Sequence, residues 1–372
     1  MTTAGARIHV VRFAPAKLNL TLAVVGRRED GYHALHCVMV PLSLGDALTV
    51  SAAPAGAAGD SLRVTGLALS SGPDNLVLRA IAATRARVAA ARPGVPAAPP
   101  PLLVRLAKRV PVAAGLGGGS SDAAATIDAA LSAWAAALDP EATVTLAASL
   151  GSDVPFFLAG GAALVTGRGE CVEALPDLVG EPPAVLLVSP RLPLATSAAF
   201  EEYAAGARSL AGAHAGEVSE RLAAQMRTGM TGADLIERAE DLAAANDLRR
   251  ASLAIAPGLA ELAAALQNLT GRPVGQSGSG PTLWSLYPTL GEANRAARAV
   301  RLAAAKGMLP RLGRGEPFVA ATVIAGRRPR PAVEFGDGTM GTIRPRTVHN
   351  EPGGRRNDPK GRAAEPRDTK GE

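Results

Sequence analysis

Aromatic residues are scarce in this chain: two Trp, three Tyr and six Phe, or 3% of 372 residues. The hydrophobic content is nevertheless 47%, with alanine abundant, which points to an interior of small-residue helices and Val/Leu strands. Every exposed ring therefore carries information. Cysteine is nearly absent. Cys37 and Cys171 lie in apolar surroundings without Cys-x-x-Cys spacing, which argues against a disulfide framework or a cysteine zinc site and suits a reduced, cytoplasmic compartment. The five histidines form no metal-binding cluster in the sequence. No apolar run is long enough to span a membrane, and Arg7, His9, Arg12 and Lys17 interrupt the start of the chain before a signal core develops. No membrane partner is expected.

Lysine is scarce as well. Lys17, Lys108, Lys306, Lys360 and Lys370 are the only five among 39 Lys and Arg residues, so a lysine within a strand suggests a compact point charge rather than a guanidinium fork. The net charge of +6 could suggest nucleic acid, but residues 327–372 hold 11 Lys and Arg against 7 Asp and Glu, which accounts for four of the six. That segment is rich in Gly, Pro, Arg and Asp, has no apolar period and reads as a disordered basic tail. No nucleic-acid partner is expected for the rest.

What the chain has in quantity is glycine, concentrated where it matters. Pro111 to Asp122 reads Pro-Val-Ala-Ala-Gly-Leu-Gly-Gly-Gly-Ser-Ser-Asp, and an alanine-rich helix is expected from Asp122 to Leu138. Gly115, Gly117, Gly118 and Gly119 permit unusual backbone conformations and close approach of an anion, while the helix start directs N–H groups at the same place. A Walker A loop would need a lysine before Ser120, and a dinucleotide loop a glycine in its position. Neither pattern fits, so the loop alone leaves phosphate binding and a plain helix-capping turn open.

The length allows two domains. Arg7 to Val25 alternates as two strands broken at Pro15, with Lys17, Asn19 and Thr21 on one face and Leu18, Leu20 and Leu22 on the other. A polar turn, Gly26 to His33, ends in Tyr32 and His33, two of the scarce rings able to stack on or bond to a planar group. Strands are expected at 38–42, 47–51, 62–67 and 102–108, with helices capped by Asn75 and by Asp139 before Pro140. Asp153, in Gly-Ser-Asp-Val-Pro, is either a helix cap or a functional acid. A strand from 162 to 166 ends in Gly167-Arg168-Gly169-Glu170. From Ala184 the elements follow a β-α-β-β-α-β order, that of ferredoxin-like domains, with a second glycine turn, Ser277-Gly278-Ser279-Gly280-Pro281, between the middle strands.

Taken in order, Pro-Ala-Lys-Leu-Asn, Gly-Leu-Gly-Gly-Gly-Ser-Ser, Gly-Ser-Asp-Val-Pro and Ser-Gly-Ser-Gly-Pro resemble the GHMP kinase superfamily over roughly residues 7–326. The resemblance implies an α+β fold: an N-terminal ATP-binding α/β domain over 1–176 and a C-terminal ferredoxin-like domain over 177–326, with 327–372 outside. It implies an ATP- and Mg²⁺-dependent kinase. The glycine loop, Pro111, Ala113, Ala114, Gly115, Leu116, Gly117, Gly118, Gly119, Ser120 and Ser121, would wrap the triphosphate, with Ser121 near the metal. Gly278, Ser279 and Gly280 would lie near the transferred phosphate. Asp153 would accept the acceptor's proton and Lys17 would orient it and stabilise developing charge.

Lys17 and Asn19 beside Gly31-Tyr32-His33 are similar to the members that phosphorylate the 2-hydroxyl of a cytidine diphosphate-linked methylerythritol, in the non-mevalonate (MEP) route to isoprenoid precursors. There Asn19 would hold the acceptor, Tyr32 would stack on the cytosine, His33 would hydrogen-bond it, and Thr196 and Phe200 would stand at its other face. The implied partner is a small molecule, and the implied assembly a monomer or weak homodimer. Two rivals remain: a kinase for homoserine, mevalonate or a sugar, and a non-catalytic relative that kept the fold.

Overall fold

The computed structural model describes residues 9–91, 99–206, 211–327, 333–334 and 340–341. Its strands are β1 (His9–Asn19), β2 (Ala23–Arg27), β3 (His33–Ala52), β4 (Ser61–Gly66), β5 (Leu102–Lys108), β6 (Ala163–Gly167), β7 (Cys171–Ala174), β8 (Ala184–Ser189), β9 (Gly275–Gln276), β10 (Leu283–Tyr287), β11 (Phe318–Val323), β12 (Val333–Glu334) and β13 (Met340–Gly341). The helices are α1 (Leu76–Ala90), α2 (Gly118–Ala133), α3 (Pro140–Leu150), α4 (Val154–Ala159), α5 (Thr196–Gly206), α6 (Ala211–Thr228), α7 (Gly232–Glu237), α8 (Ala239–Ala244), α9 (Leu248–Ile255), α10 (Gly258–Thr270) and α11 (Leu290–Ala305).

The long strand β3 organises the first sheet. Residues 39–51 of β3 pair antiparallel with β1 and 47–52 with β5, while 33–36 pair with β2 and 35–39 with β6. Pro15 does not break β1 in two, as its sequence suggests. The strand runs through, with Pro15 opposite Gly45 and a register shift between Pro15 and Lys17. A bulge absorbs the missing proline donor. A side chain at Gly45 would collide with the Phe13 ring and Ala14 O, so the strands can close here only over a glycine. The same continuity merges the expected strands at 38–42 and 47–51 into β3.

The helix starts at Asn75 and Asp139 are as expected. Asn75 Oδ1 accepts from Val77 N at 2.9 Å, and Asp139 Oδ2 accepts from Glu141 N and Ala142 N at 3.0 and 3.1 Å. Helix α2 departs at both ends. It begins at Gly118, four residues before the expected Asp122, because left-handed Gly117 delivers the chain straight into helical geometry. It stops at Ala133, where Trp134 Nε1 donates to Pro100 O at 3.0 Å and Ala135 turns to positive φ.

The second sheet has the order β11-β8-β10-β9 with every pair antiparallel. Counted in sequence this is 4-1-3-2, the ferredoxin-like arrangement that the β-α-β-β-α-β order predicts. One core lies between this sheet and α10 and α11 (Leu186, Val188, Leu262, Val300), and another between β3, β5, α1 and α2 (Leu48, Val104, Ile81, Ala129). A third is shared: Leu18 of β1, Leu20 just after it, Val38 and Val40 of β3, and Leu116 of the glycine loop pack with Val185 of β8, Trp284 of β10 and Leu222 of α6. Burying each such Leu or Val stabilises the fold by about 1.5–3 kcal/mol, so the contact between the halves is part of the folded core.

Of the expected tail, β12 pairs with β1 and β13 with β12 at the sheet edge. Arg327, also in that segment, donates from its backbone N to Asp177 Oδ2 at 2.7 Å; the remainder lies outside the described residues.

Candidate active site

The end of β1 supplies a lysine and an amide on one face. Leu18 and Leu20 enter the shared core, so alternation turns Lys17 and Asn19 the other way. Lys17 N donates to Leu116 O at 2.9 Å, which ties the strand to the glycine loop. The Lys17 side chain is 5% exposed; its Nζ donates to Asn19 Oδ1 and lies 3.7 Å from Asp153 Oδ2. With Oδ1 accepting from an ammonium, Asn19 must present Nδ2 as a donor. That Nδ2 is buried and has no partner among the described residues.

Asp153 sits immediately before α4, where an aspartate would ordinarily cap. It makes no side-chain cap bond. Its side chain is 32% exposed and faces Lys17, so its lone pairs remain available to a ligand.

The two glycine turns meet backbone to backbone. Gly115 has φ +78°, and a Cβ there would stand 2.3 Å from Ser277 O and 2.9 Å from Gly280 O. Ser277 Oγ donates to Gly115 O at 2.9 Å, and Thr282 N donates to Ala114 O at 3.3 Å. Gly278 brings its Cα beside the lysine: a Cβ there would be 3.2 Å from Asn19 Oδ1 and 3.4 Å from Lys17 Nζ. Asn246 holds this turn from behind, donating to Gln276 O and Gly278 O at 3.0 and 2.9 Å.

Gly117 precedes α2 and offers no side chain to its first N–H groups. The first intrahelical bond is Ser121 N to Gly117 O, so the N–H groups of Gly118, Gly119 and Ser120 have no intrahelical acceptor. An uncapped start of a 16-residue helix, beside a buried lysine, attracts an anion. Pro111 and Ala113 form the outer edge of the loop, Ala114 and Leu116 anchor it in the core, and Gly119 is exposed. Ser121 Oγ is buried without a partner among the described residues, a free hydroxyl in the first turn. Among the described residues no three His, Cys, Asp or Glu side chains converge on a metal position.

Beneath the loop lies a charged cluster. Lys108 Nζ donates to Asp46 Oδ2 at 2.5 Å and to Asp122 Oδ2 at 2.7 Å, and all three side chains are buried. Asp46 Oδ1 also accepts from Arg109 N and Val110 N. Burial pushes the Asp122 carboxyl up, to about 7; Lys108 opposes the shift and Asp46 adds to it. A Cβ on Gly118 would come 3.0 Å from Lys108 Nζ, which places this ammonium directly under the first turn of α2. Breaking such a buried pair costs about 3–5 kcal/mol, far above a surface pair.

The sequence-predicted rings are partly brought together. His33 stacks on Phe200 with centroids 5.3 Å apart, and Tyr203 meets His33 edge-on at 5.8 Å. Burial and the nearby Arg27 hold the His33 imidazole below its ordinary pKa, which favours its neutral form. Tyr32 is separate, 55% exposed, with Arg168 over its ring. Thr196 bonds to Ser279 across their hydroxyls at 3.1 Å, which joins α5 to the second glycine turn. Tyr203, Asn246, Asp46 and Lys108 escape the sequence reading. Tyr203 stands one helical turn after Phe200 in an aromatic-poor chain, and Lys108 is one of only two lysines before residue 306, signals that could have found both.

Comparison with known proteins fits this geometry. Residues 75–161 match the model of the GHMP kinases N terminal domain. A 4-diphosphocytidyl-2-C-methyl-D-erythritol kinase of Deinococcus radiodurans is 41% identical over 77% of this chain and 87% of that protein. The chain belongs to the 4-diphosphocytidyl-2-C-methyl-D-erythritol kinase family. A relative of the same name from Paramagnetospirillum magneticum is 40% identical over 78% of this chain and 93% of its own length. A crystal structure of a 4-(cytidine 5'-diphospho)-2C-methyl-D-erythritol kinase superposes with TM-score 0.60 at 30% identity, covering 84% of this chain and 99% of the other. As a member of the 4-diphosphocytidyl-2-C-methyl-D-erythritol kinase family, the chain is an ATP-dependent kinase with a two-domain α+β GHMP fold. Among the described residues no helix is long and apolar enough to cross a membrane.

Proposed function

We propose that the chain transfers the γ-phosphoryl group of ATP to the 2-hydroxyl of 4-diphosphocytidyl-2-C-methyl-D-erythritol, with Lys17 and Asp153 as the catalytic pair. The observation that carries this reading is the convergence of Lys17, Asn19, Asp153, the uncapped start of α2 and the Gly278 turn at one place. Phosphoryl transfer asks a protein mainly to position two reactants and neutralise charge.

The triphosphate lies against the N–H groups of Gly118, Gly119 and Ser120, with Gly278 and Gly280 leaving room for the γ-phosphate. Asn19 Nδ2, the donor left free by the Lys17 bond, holds the acceptor hydroxyl. A carboxylate is a far weaker base than an alkoxide, so Asp153 takes the proton as the oxygen–phosphorus bond forms, and Lys17 stabilises the negative charge that develops. Mg²⁺ would supply charge neutralisation between the β- and γ-phosphates, with Ser121 Oγ as the protein group able to turn toward it. The cytidine end lies near His33, Phe200 and Tyr32; a neutral His33 has both a donor and an acceptor for a base edge. We assign residues 1–176 to the ATP-binding domain and 177–326 to the second domain, the break falling between β7 and β8.

ADP release from Mg·ATP, measured with 4-diphosphocytidyl-2-C-methyl-D-erythritol, homoserine and mevalonate in parallel, tests the acceptor. Turnover with the cytidyl substrate alone is the expected result. Turnover with another alcohol would keep the kinase and reject the acceptor.

A further inference from the structure

The turn Gly167-Arg168-Gly169-Glu170 joins β6 to β7 and has no part in the chemistry above. It touches both ends of the site. Gly169, at φ +117°, lies so close to Ser152 that a Cβ would stand 3.0 Å from the Ser152 Cβ, next to Asp153. From the other side of the turn, the Arg168 guanidinium lies 5.2 Å from the centre of the Tyr32 ring.

The turn is internally fixed. Glu170 Oε2 accepts from Arg168 N at 2.6 Å, and Gly169 N donates to Thr166 O at 3.2 Å. Ion pairs then tie it to the β2–β3 turn: Arg28 reaches Glu170 at 3.8 Å and Asp30 at 3.1 Å, while Asp30 Oδ1 accepts from Tyr32 N at 3.1 Å. Tyr32 is otherwise a solvent-facing ring on a polar turn, 55% exposed. The Arg168 guanidinium lies over one face of the ring, and more than half of the Tyr32 surface remains exposed.

We propose that Arg168 is a positioning residue for the cytidine end of the substrate: it holds the Tyr32 ring by a cation–π contact so that the opposite face is presented to the base. The inference rests on the reading that Tyr32 stacks on that base. Its consequence is that the turn also sets the base-binding ring relative to Asp153, since both are referred to the same four residues. An arginine suits the task because its planar cation stacks on a ring while its charge stays in water.

Steady-state kinetics of Arg168→Ala, Arg168→Lys, Tyr32→Ala and the Tyr32→Ala/Arg168→Ala double variant, with Mg·ATP and 4-diphosphocytidyl-2-C-methyl-D-erythritol, test it. Arg168→Ala should raise KM for the cytidyl substrate about two- to fivefold, the range expected for an exposed cation–π contact, with kcat and the KM for ATP unchanged. Arg168→Lys should restore part of the loss. In the Tyr32→Ala background, Arg168→Ala should have no further effect, since the contact it removes is already gone. An equal effect in that background, or a parallel change in kcat and in KM for ATP, would overturn the assignment. If Tyr32→Ala raises KM and Arg168→Ala does not, this inference alone fails; if Tyr32→Ala leaves KM unchanged, the base-stacking reading fails and takes the inference with it.

Discussion

Lys17 Nζ and Asp153 Oδ2 stand 3.7 Å apart, near enough for charge to act and too far for a direct hydrogen bond. The lysine is held instead by Asn19, and the aspartate, uncapped, keeps its oxygens free. A hydroxyl group entering beside this pair would meet an acceptor on one side and a cation on the other.

Removing the acceptor should therefore remove chemistry and leave binding. Asp153→Asn is expected to lower kcat by about 10²–10⁴-fold, the usual contribution of a positioned acid or base. ATP affinity, measured by titration calorimetry, should stay within about twofold, since the loop does not depend on Asp153. Equal loss of both would make Asp153 a structural residue.

The glycines of the loop should separate into two kinds. Gly115→Ala puts a methyl group 2.3 Å from a backbone carbonyl at φ +78°, so the two turns must part. A loss of stability of about 1–3 kcal/mol, seen as a lower melting temperature, and weaker ATP binding should appear together. At Gly119 a Cβ would meet only Leu76 Cδ1, at an ordinary 3.5 Å. Gly119→Ala should therefore melt no lower than the parent, and a rise in the KM for ATP is expected because the N–H of residue 119 is among those assigned to the triphosphate. A lower melting temperature for Gly119→Ala would remove the distinction.

Asp122 gives the fold a pH dependence of defined sign. Its carboxyl titrates higher folded than unfolded, so between the ordinary carboxylate range and about 7 the folded state keeps a proton that the unfolded chain has released. Stability from this source is full at low pH and is lost as the pH rises toward 7. Asp122→Asn cannot ionise and still accepts from Lys108. Melting temperatures measured from about pH 5 to about pH 8 should show the parent falling progressively relative to this variant. Parallel curves would show that Asp122 does not titrate in this window.

Much of the fold is legible from local signals. The caps at Asn75 and Asp139 act within three residues, the strand at Leu102–Lys108 is marked by its own apolar run, and the ferredoxin-like order follows from the succession of elements. The glycine loop was legible for the same reason: the backbone freedom it needs is written in the residues that provide it. Proline at position 15 misled because a bulge opposite Gly45 repairs the ladder, and nothing near Pro15 in sequence reports on Gly45.

The sequence by itself thus determined most of the elements, the glycine loop ahead of α2 and the chemical identity of Lys17 and Asp153. Only the tertiary structure decided that those two face each other, that Gly115 fits against Ser277, that Lys108 lies between Asp46 and Asp122, and that His33 rather than Tyr32 stacks on Phe200. Local preferences are set by neighbours a few residues apart. Distances between remote side chains are set by the register of β3 and by the core shared between the two sheets, where packing energy summed over many residues outweighs any local preference.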